Sequence, residues 1–183
     1  MIPVLLRSRR LTLRPPAWSD ADRLTELIGD YDVAKMLSVV PHPYAPDDAH
    51  WWLNQIASEE QEGECAFAID NGEGLIGAVS LGRPGAFPTL GYWLGRPYWG
   101  QGYMTEAASV VLDWFFSTSG LQSIESGALV ENTASMKVLT KLGFKRGMQR
   151  ELHIRARGLS MTSMRVSLLR EDFFEKGATL CKT

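Results

Sequence analysis

"GRPYWGQGYMTEA", residues 95–107, sets three glycines and the aromatic pair Tyr98 and Trp99 just ahead of a helical pattern. A glycine-rich turn entering a helix is suited to an anion, because the first turn leaves N–H groups unpaired at the positive end of the helix dipole. Spacing separates the known phosphate loops. A P-loop needs Lys and then Ser or Thr after its second glycine, whereas Gly100 is followed by Gln101 and Gly102. A dinucleotide fingerprint needs a third glycine where Thr105 stands, although Glu125 lies at the distance of its acidic residue. What remains is a row of backbone N–H groups from Gln101 to Thr105 without a lysine and hydroxyl pair for a cation. That row suits a pyrophosphate held without metal.

Working outward, "TLGYWL" at 89–94 reads as the strand feeding this loop, preceded by strand-like runs at 65–69 and 74–81. Between those two, Asn71-Gly72 predicts a hairpin turn with positive φ at both central positions. After the loop, Met104, Ala107, Ala108, Val111, Trp114 and Phe115 recur at helical spacing, and Gly120 ends the helix as a left-handed cap. "SIESGALV" at 123–130 predicts a strand, "NTASMKVLTKLG" at 132–143 a capped helix, and "GMQRELHI" with "MTSMRVSLL" a closing pair of strands. Upstream, "RLTLRPP" alternates as a first strand and Trp18 to Gly29 has helical spacing. The prolines of "VVPHPYAP" break the chain before a second helix over Asp47 to Gly63. The order gives seven strands in a mixed α+β sheet with helices on its faces.

With 183 residues and no repeat or linker, the chain is expected to form a single domain over 1–183. A net charge of −2 argues against wholesale nucleic-acid binding. Cys65, Cys181 and three scattered histidines match neither a disulfide framework nor metal-ligand spacing, so no metal is expected. The apolar part of "MIPVLLRSRR" is too short for a signal peptide, and no segment reaches membrane-spanning length. A soluble cytoplasmic protein with two free thiols is the expectation.

The element order, with "LGYWLGRPYWGQGYMTEA" and "VENTASMKVLTKLGF" about thirty residues apart on successive strand–helix units, resembles the GNAT acetyltransferases, and within them the ribosomal-protein N-terminal acetyltransferases of the RimJ and RimL kind. The similarity runs from "LRSRRLTLRPP" to the last strand. It implies the GNAT fold, with acetyl-CoA as co-substrate in a V-shaped opening between the fourth and fifth strands, its pantetheine arm beside Tyr92–Leu94 and its pyrophosphate on Gln101, Gly102, Tyr103, Met104 and Thr105. Trp99, Gly100, Asn132 and Ser135 complete the implied coenzyme site. Met104 departs from the Gly or Ala common at its position, and serves only if its side chain points into the core.

The resemblance also implies the chemistry. A primary amine attacks the thioester directly in a ternary complex, and a backbone N–H at Trp93 or Leu94 receives the oxyanion. The tyrosine that many of these enzymes use as acid is replaced here by Leu139, which leaves Ser135 to donate to, or hydrogen-bond, the leaving thiolate. A local helix-capping role for Asn132 and Ser135 is the alternative. For a base the options are Glu151 and His153, which share one strand face by period two, Glu131, or none, with the proton lost through water. His42, Tyr44, Trp52 and Tyr92 are the expected acceptor-binding residues, near His50 and Trp51. Arg83, Arg96, Lys137 and Lys141 either reach the 3′-phosphate or solubilise the surface. The expected acceptor is a protein N-terminal α-amine; a small amine such as an antibiotic or polyamine, or a CoA-binding module without turnover, are the alternatives. A homodimer through an exposed apolar strip stays open.

Overall fold

The computed structural model describes residues 4–59, 65–82 and 87–180. Its strands are β1 (Leu6–Arg7), β2 (Thr12–Arg14), β3 (Cys65–Asp70), β4 (Leu75–Gly82), β5 (Thr89–Leu94), β6 (Ser123–Leu129), β7 (Lys145–Ile154) and β8 (Leu159–Leu169). The helices are α1 (Ala21–Ile28), α2 (Tyr31–Ala34), α3 (Pro46–Glu59), α4 (Tyr103–Ser119), α5 (Thr133–Leu142) and α6 (Arg170–Leu180). Among the described residues one eight-stranded sheet runs β1-β2-β3-β4-β5-β6-β8-β7. Every neighbouring pair is antiparallel except β5 and β6, which run parallel. The count exceeds the expected seven by the two-residue β1, which pairs with β2 through Leu6↔Leu13 and Arg7↔Thr12.

Period-two alternation distributes the side chains to two helical layers. Phe67 and Ile69 of β3 join Leu90 of β5 and Ile124 of β6 under α4 and α5, with Phe116, Leu112 and Leu139 fully buried there. Ala68 and Trp93 face the opposite way, onto Leu24, Leu27 and Leu53 of α1 and α3. Burying each large aliphatic or aromatic side chain contributes about 1.5–3 kcal/mol, so the strands are held by two apolar faces. The expected first helix begins as a 3-10 turn, Trp18–Asp20. Asp20 is buried there, its carboxylate gripped by Arg14 at 2.7 Å and accepting from the Ala17 N–H at 2.8 Å. The tail of the expected second helix, 60–63, lies outside the described residues, as do Arg83 and Cys181.

Two local expectations change. In the β3–β4 hairpin the positive φ angles fall at Gly72 and Gly74, while Asn71 keeps an ordinary backbone. Asp70 explains the shift: its Oδ1 accepts from the N–H of Gly72 at 2.8 Å and of Gly74 at 3.3 Å, closing a longer turn. After β8 the chain enters α6, for which no element was expected. Its Phe173 and Phe174 rings pack 5.7 and 6.4 Å from Phe116. Among the described residues no helix is long and apolar enough to cross a membrane.

Candidate functional site

Strands β5 and β6 meet at a single register pair, Thr89↔Glu125, and then part. Ser126 marks the apex, its buried hydroxyl donating to the Leu90 carbonyl at 2.8 Å. Beyond it opens a cleft of about 590 Å³, lined by Leu90–Leu94, Tyr98–Gly100, Gly102–Thr105, Ser126–Ala128 and Glu131–Ser135.

The ladder decides what β5 offers to this cleft. Gly95 donates to the Ile76 carbonyl at 2.9 Å and continues the antiparallel register with β4. Main-chain polar groups alternate sides along a strand, so those of Gly91 and Trp93 are directed at β4 and those of Leu90, Tyr92 and Leu94 at the cleft. The Ser126 contact with the Leu90 carbonyl fits this phase. The Trp99 indole occupies the Leu94 carbonyl at 2.7 Å and leaves the Leu94 N–H facing the opening. Of the two expected oxyanion donors, the phase favours Leu94. Trp93 turns its N–H to β4 and its ring into the α1 layer.

At the mouth of the loop Gly100 and Gly102 adopt φ +75° and +80°, a left-handed backbone that costs other residues about 1–2 kcal/mol. The first helical bond of α4 runs from the Glu106 N–H to the Gly102 carbonyl, so the N–H groups of Tyr103, Met104 and Thr105 have no carbonyl in their own helix. Met104 is 7% exposed and sits in the α4 core cluster, which meets the condition set for a large side chain there.

Arg10, which the sequence did not single out, holds this loop. Its guanidinium bonds Glu106 at 2.7 Å and the Gln101 carbonyl at 3.1 Å, and lies 4.4 Å from the Tyr103 ring centre. Glu106 also accepts from the Ser8 hydroxyl and the Arg10 N–H. Desolvation opposes its ionisation, yet these donors hold its carboxyl below the usual range.

Across the opening, Asn132 caps α5 and accepts from the Ser135 N–H at 3.0 Å. Ser135 Oγ lies 2.8 Å from the Tyr92 hydroxyl, and burial pushes that phenol up to about 12, so it keeps its proton at neutral pH. Leu139 is fully buried. Lys137 and Lys141, one turn apart on α5, line the cleft and make no ion pair among the described residues. Arg96 instead pairs with Asp32 at 2.9 Å.

The structure therefore brings together Tyr92, Trp93, Leu94, Trp99, Gly100, Gly102 to Thr105, Asn132 and Ser135, with Gln101 exposed in the same loop. Glu151 and His153 are exposed on the edge strand β7, where Glu151 accepts from Thr162 at 2.9 Å; neither lines the cleft. Of the base options only Glu131 does, and its carboxylate is paired with Arg157. Likewise His42 is exposed, its ring 4.9 Å from Tyr31, while Tyr44 and Trp52 pack on the α1–α3 cluster. Beside Glu131 the cleft is lined by Val33, Met36 and Leu37, Met36 and Glu131 both meeting the Arg157 guanidinium; that segment is too short and irregular to carry a periodic signal.

Residues 10–145 match the acetyltransferase (GNAT) domain family. Over 174 residues the chain is 29% identical to the uncharacterized N-acetyltransferase p20 of Bacillus licheniformis, covering 92% of this chain and 97% of that protein. The structure of Mycobacterium smegmatis RimJ in complex with CoA-disulfide aligns with a TM-score of 0.80 and 22% identity over 93% of this chain and 88% of that one. Ribosomal-protein-S5-alanine acetyltransferase from Vibrio fischeri aligns with a TM-score of 0.78 and 24% identity over 93% and 98% of the two chains. These two likenesses establish the shared fold, and the family match spans most of the chain. The chain belongs to the GNAT acetyltransferase family.

Proposed function

We propose that the protein transfers acetyl from acetyl-CoA to a primary amine by direct attack in a ternary complex, and that the acceptor is a protein N-terminal α-amine. The observation that carries the reading is the convergence on one cleft of the unpaired N–H groups of Tyr103 to Thr105, the cleft-facing N–H of Leu94, and the hydroxyl of Ser135. The first set suits a pyrophosphate. The main chain of Tyr92, next to Leu94, suits an amide group of the pantetheine arm, in the manner of an added strand. Lys137 and Lys141 are available for the 3′-phosphate.

The Leu94 N–H receives the charge that develops on the thioester oxygen, and Ser135 hydrogen-bonds the departing sulfur. The amine loses its proton through water, because the carboxylate nearest the cleft is engaged by Arg157. The apolar Val33, Met36 and Leu37 that line the cleft fit a peptide end with a small apolar side chain beside its amine. The similarity in fold to the ribosomal-protein-S5-alanine acetyltransferase lends the peptide acceptor its support.

The test is release of free CoA thiol from acetyl-CoA by the purified protein, with products weighed by mass spectrometry, over N-terminal peptides and small amines. Acetylated peptide α-amines are expected. A small-amine product alone would move the acceptor class, and acetyl-CoA binding with no transfer would refute the enzymatic reading. Ser135→Ala with an undiminished kcat would remove that residue from the mechanism.

A further inference from the structure

Ser135 has one hydroxyl proton, and what it does depends on its neighbour. The Tyr92 hydroxyl lies 2.8 Å from Ser135 Oγ and 3.3 Å from the Ser135 carbonyl oxygen. Two proton arrangements satisfy this geometry. In one, Ser135 donates to Tyr92 and Tyr92 donates to the carbonyl. In the other, Tyr92 donates to Ser135 Oγ, and the serine proton is free to point elsewhere. Neighbouring groups restrict the serine further: its N–H is taken by Asn132 Oδ1 at 3.0 Å, and helix α5 fixes its backbone.

We propose that Tyr92 is a positioning residue for Ser135, donating to its Oγ so that the serine proton is aimed into the cleft at the departing sulfur. The inference rests on the reading of Ser135 given above. As the reaction proceeds, a C–N bond forms, the C–S bond breaks, and its electron pair passes to sulfur, which leaves as a thiolate. The proton lost by the amine goes to water, and neither hydroxyl is consumed. Growing negative charge on sulfur selects the second arrangement over the first, because only that one presents a donor to it. Two hydroxyls in series also polarise one another, which strengthens the terminal bond. The buried phenol suits the role, since a group that stays protonated remains a donor throughout the pH range of the reaction.

The experiment is a double-mutant cycle of Tyr92→Phe and Ser135→Ala, read as the single-turnover acetyl-transfer rate at saturating concentrations of acetyl-CoA and of the peptide that the wild-type enzyme acetylates. Tyr92→Phe is expected to lower that rate roughly tenfold with little change in acceptor KM, and Ser135→Ala to lower it by about tenfold to a hundredfold. The double variant should be no slower than Ser135→Ala alone, and Ser135→Thr, which keeps a hydroxyl, should remain sensitive to Tyr92→Phe. Melting temperatures near wild type confirm that the ring still packs.

Equal losses from Tyr92→Phe in the wild-type and Ser135→Ala backgrounds would overturn the proposal, as would a change confined to acceptor KM. Loss on Ser135→Ala with none on Tyr92→Phe would overturn it while leaving the Ser135 reading in place. No loss on Ser135→Ala, or no peptide acetylated at all, would overturn both.

Discussion

Arg10 reaches the glycine loop at 100–105 from the turn after β1, and replacing it tests whether the proposed phosphate-binding loop is held ready before any ligand arrives. Its side chain is 40% exposed, so its ion pair with Glu106 contributes only about 0.5 kcal/mol after solvent screening. The stacking on Tyr103 at 4.4 Å adds about 0.5–1 kcal/mol, and the 3.1 Å bond to the Gln101 carbonyl about 1 kcal/mol. Together these order the loop by about 2 kcal/mol, which corresponds to a roughly thirtyfold weaker Kd for CoA in Arg10→Ala. Glu106→Gln separates two roles, because it keeps the guanidinium and removes its anionic partner. If Arg10 acts by clamping the loop, Glu106→Gln also weakens CoA, by about twofold. Isothermal titration calorimetry of both variants with CoA supplies the numbers. Unchanged or tighter binding in Glu106→Gln beside a large loss in Arg10→Ala would refute the clamp, for Arg10 would then meet the phosphates itself.

Other perturbations report on neighbouring parts. Gly102→Ala forces a side chain into φ +80° with ordinary space around it, the Arg10 guanidinium being 3.6 Å from the added Cβ; CoA affinity should fall roughly tenfold by calorimetry. Gly77→Ala would put a Cβ 2.4 Å from the Trp93 carbonyl oxygen and separate β4 from β5, lowering stability by about 1–3 kcal/mol in urea denaturation. Arg157 joins Glu131 to the Lys35 carbonyl at 2.9 Å, so Arg157→Ala should raise acceptor KM severalfold and leave CoA binding intact. Because the folded-state pKa of Glu106 is lowered, its contribution to stability is complete above the ordinary carboxylate value of 4.5 and is lost as pH falls through the depressed value. The urea midpoint should therefore drop more steeply below that pH in the wild type than in Glu106→Gln.

The glycine loop and the capped helix that form one side of the cleft were legible because their signals are local. Gly100 and Gly102 need a left-handed backbone, Asn132 stands where a cap must stand, and Met104 falls on an apolar stripe that fixes its direction. Residues whose role depends on distant partners were not. Arg10 meets Gln101 only because the β1–β2 turn is brought against the start of α4, and no spacing encodes that. The acceptor wall was sought among the aromatic residues His42, Tyr44 and Trp52, whose size reads equally as packing; the structure uses Tyr44 and Trp52 as packing and lines the mouth with Val33, Met36 and Leu37. Glu151 and His153 were paired correctly by strand periodicity, but periodicity does not say which strand is the edge. Choosing between Trp93 and Leu94 required the phase of the β4–β5 ladder, which a one-residue slip would reverse.

The parting of β5 from β6 leaves the sheet as two leaves hinged at Thr89 and Glu125, with main-chain groups of Tyr92 and Leu94 along an inner seam. A sheet interrupted in this way is finished by whatever lies in the seam, so its cohesion is in part a property of the solution around it. A ligand present at a hundred times its Kd would add about 2.7 kcal/mol to the folded state. A cell rich in that ligand thus holds a sturdier protein than a starved one, and resistance to proteolysis would follow its supply without any dedicated sensor.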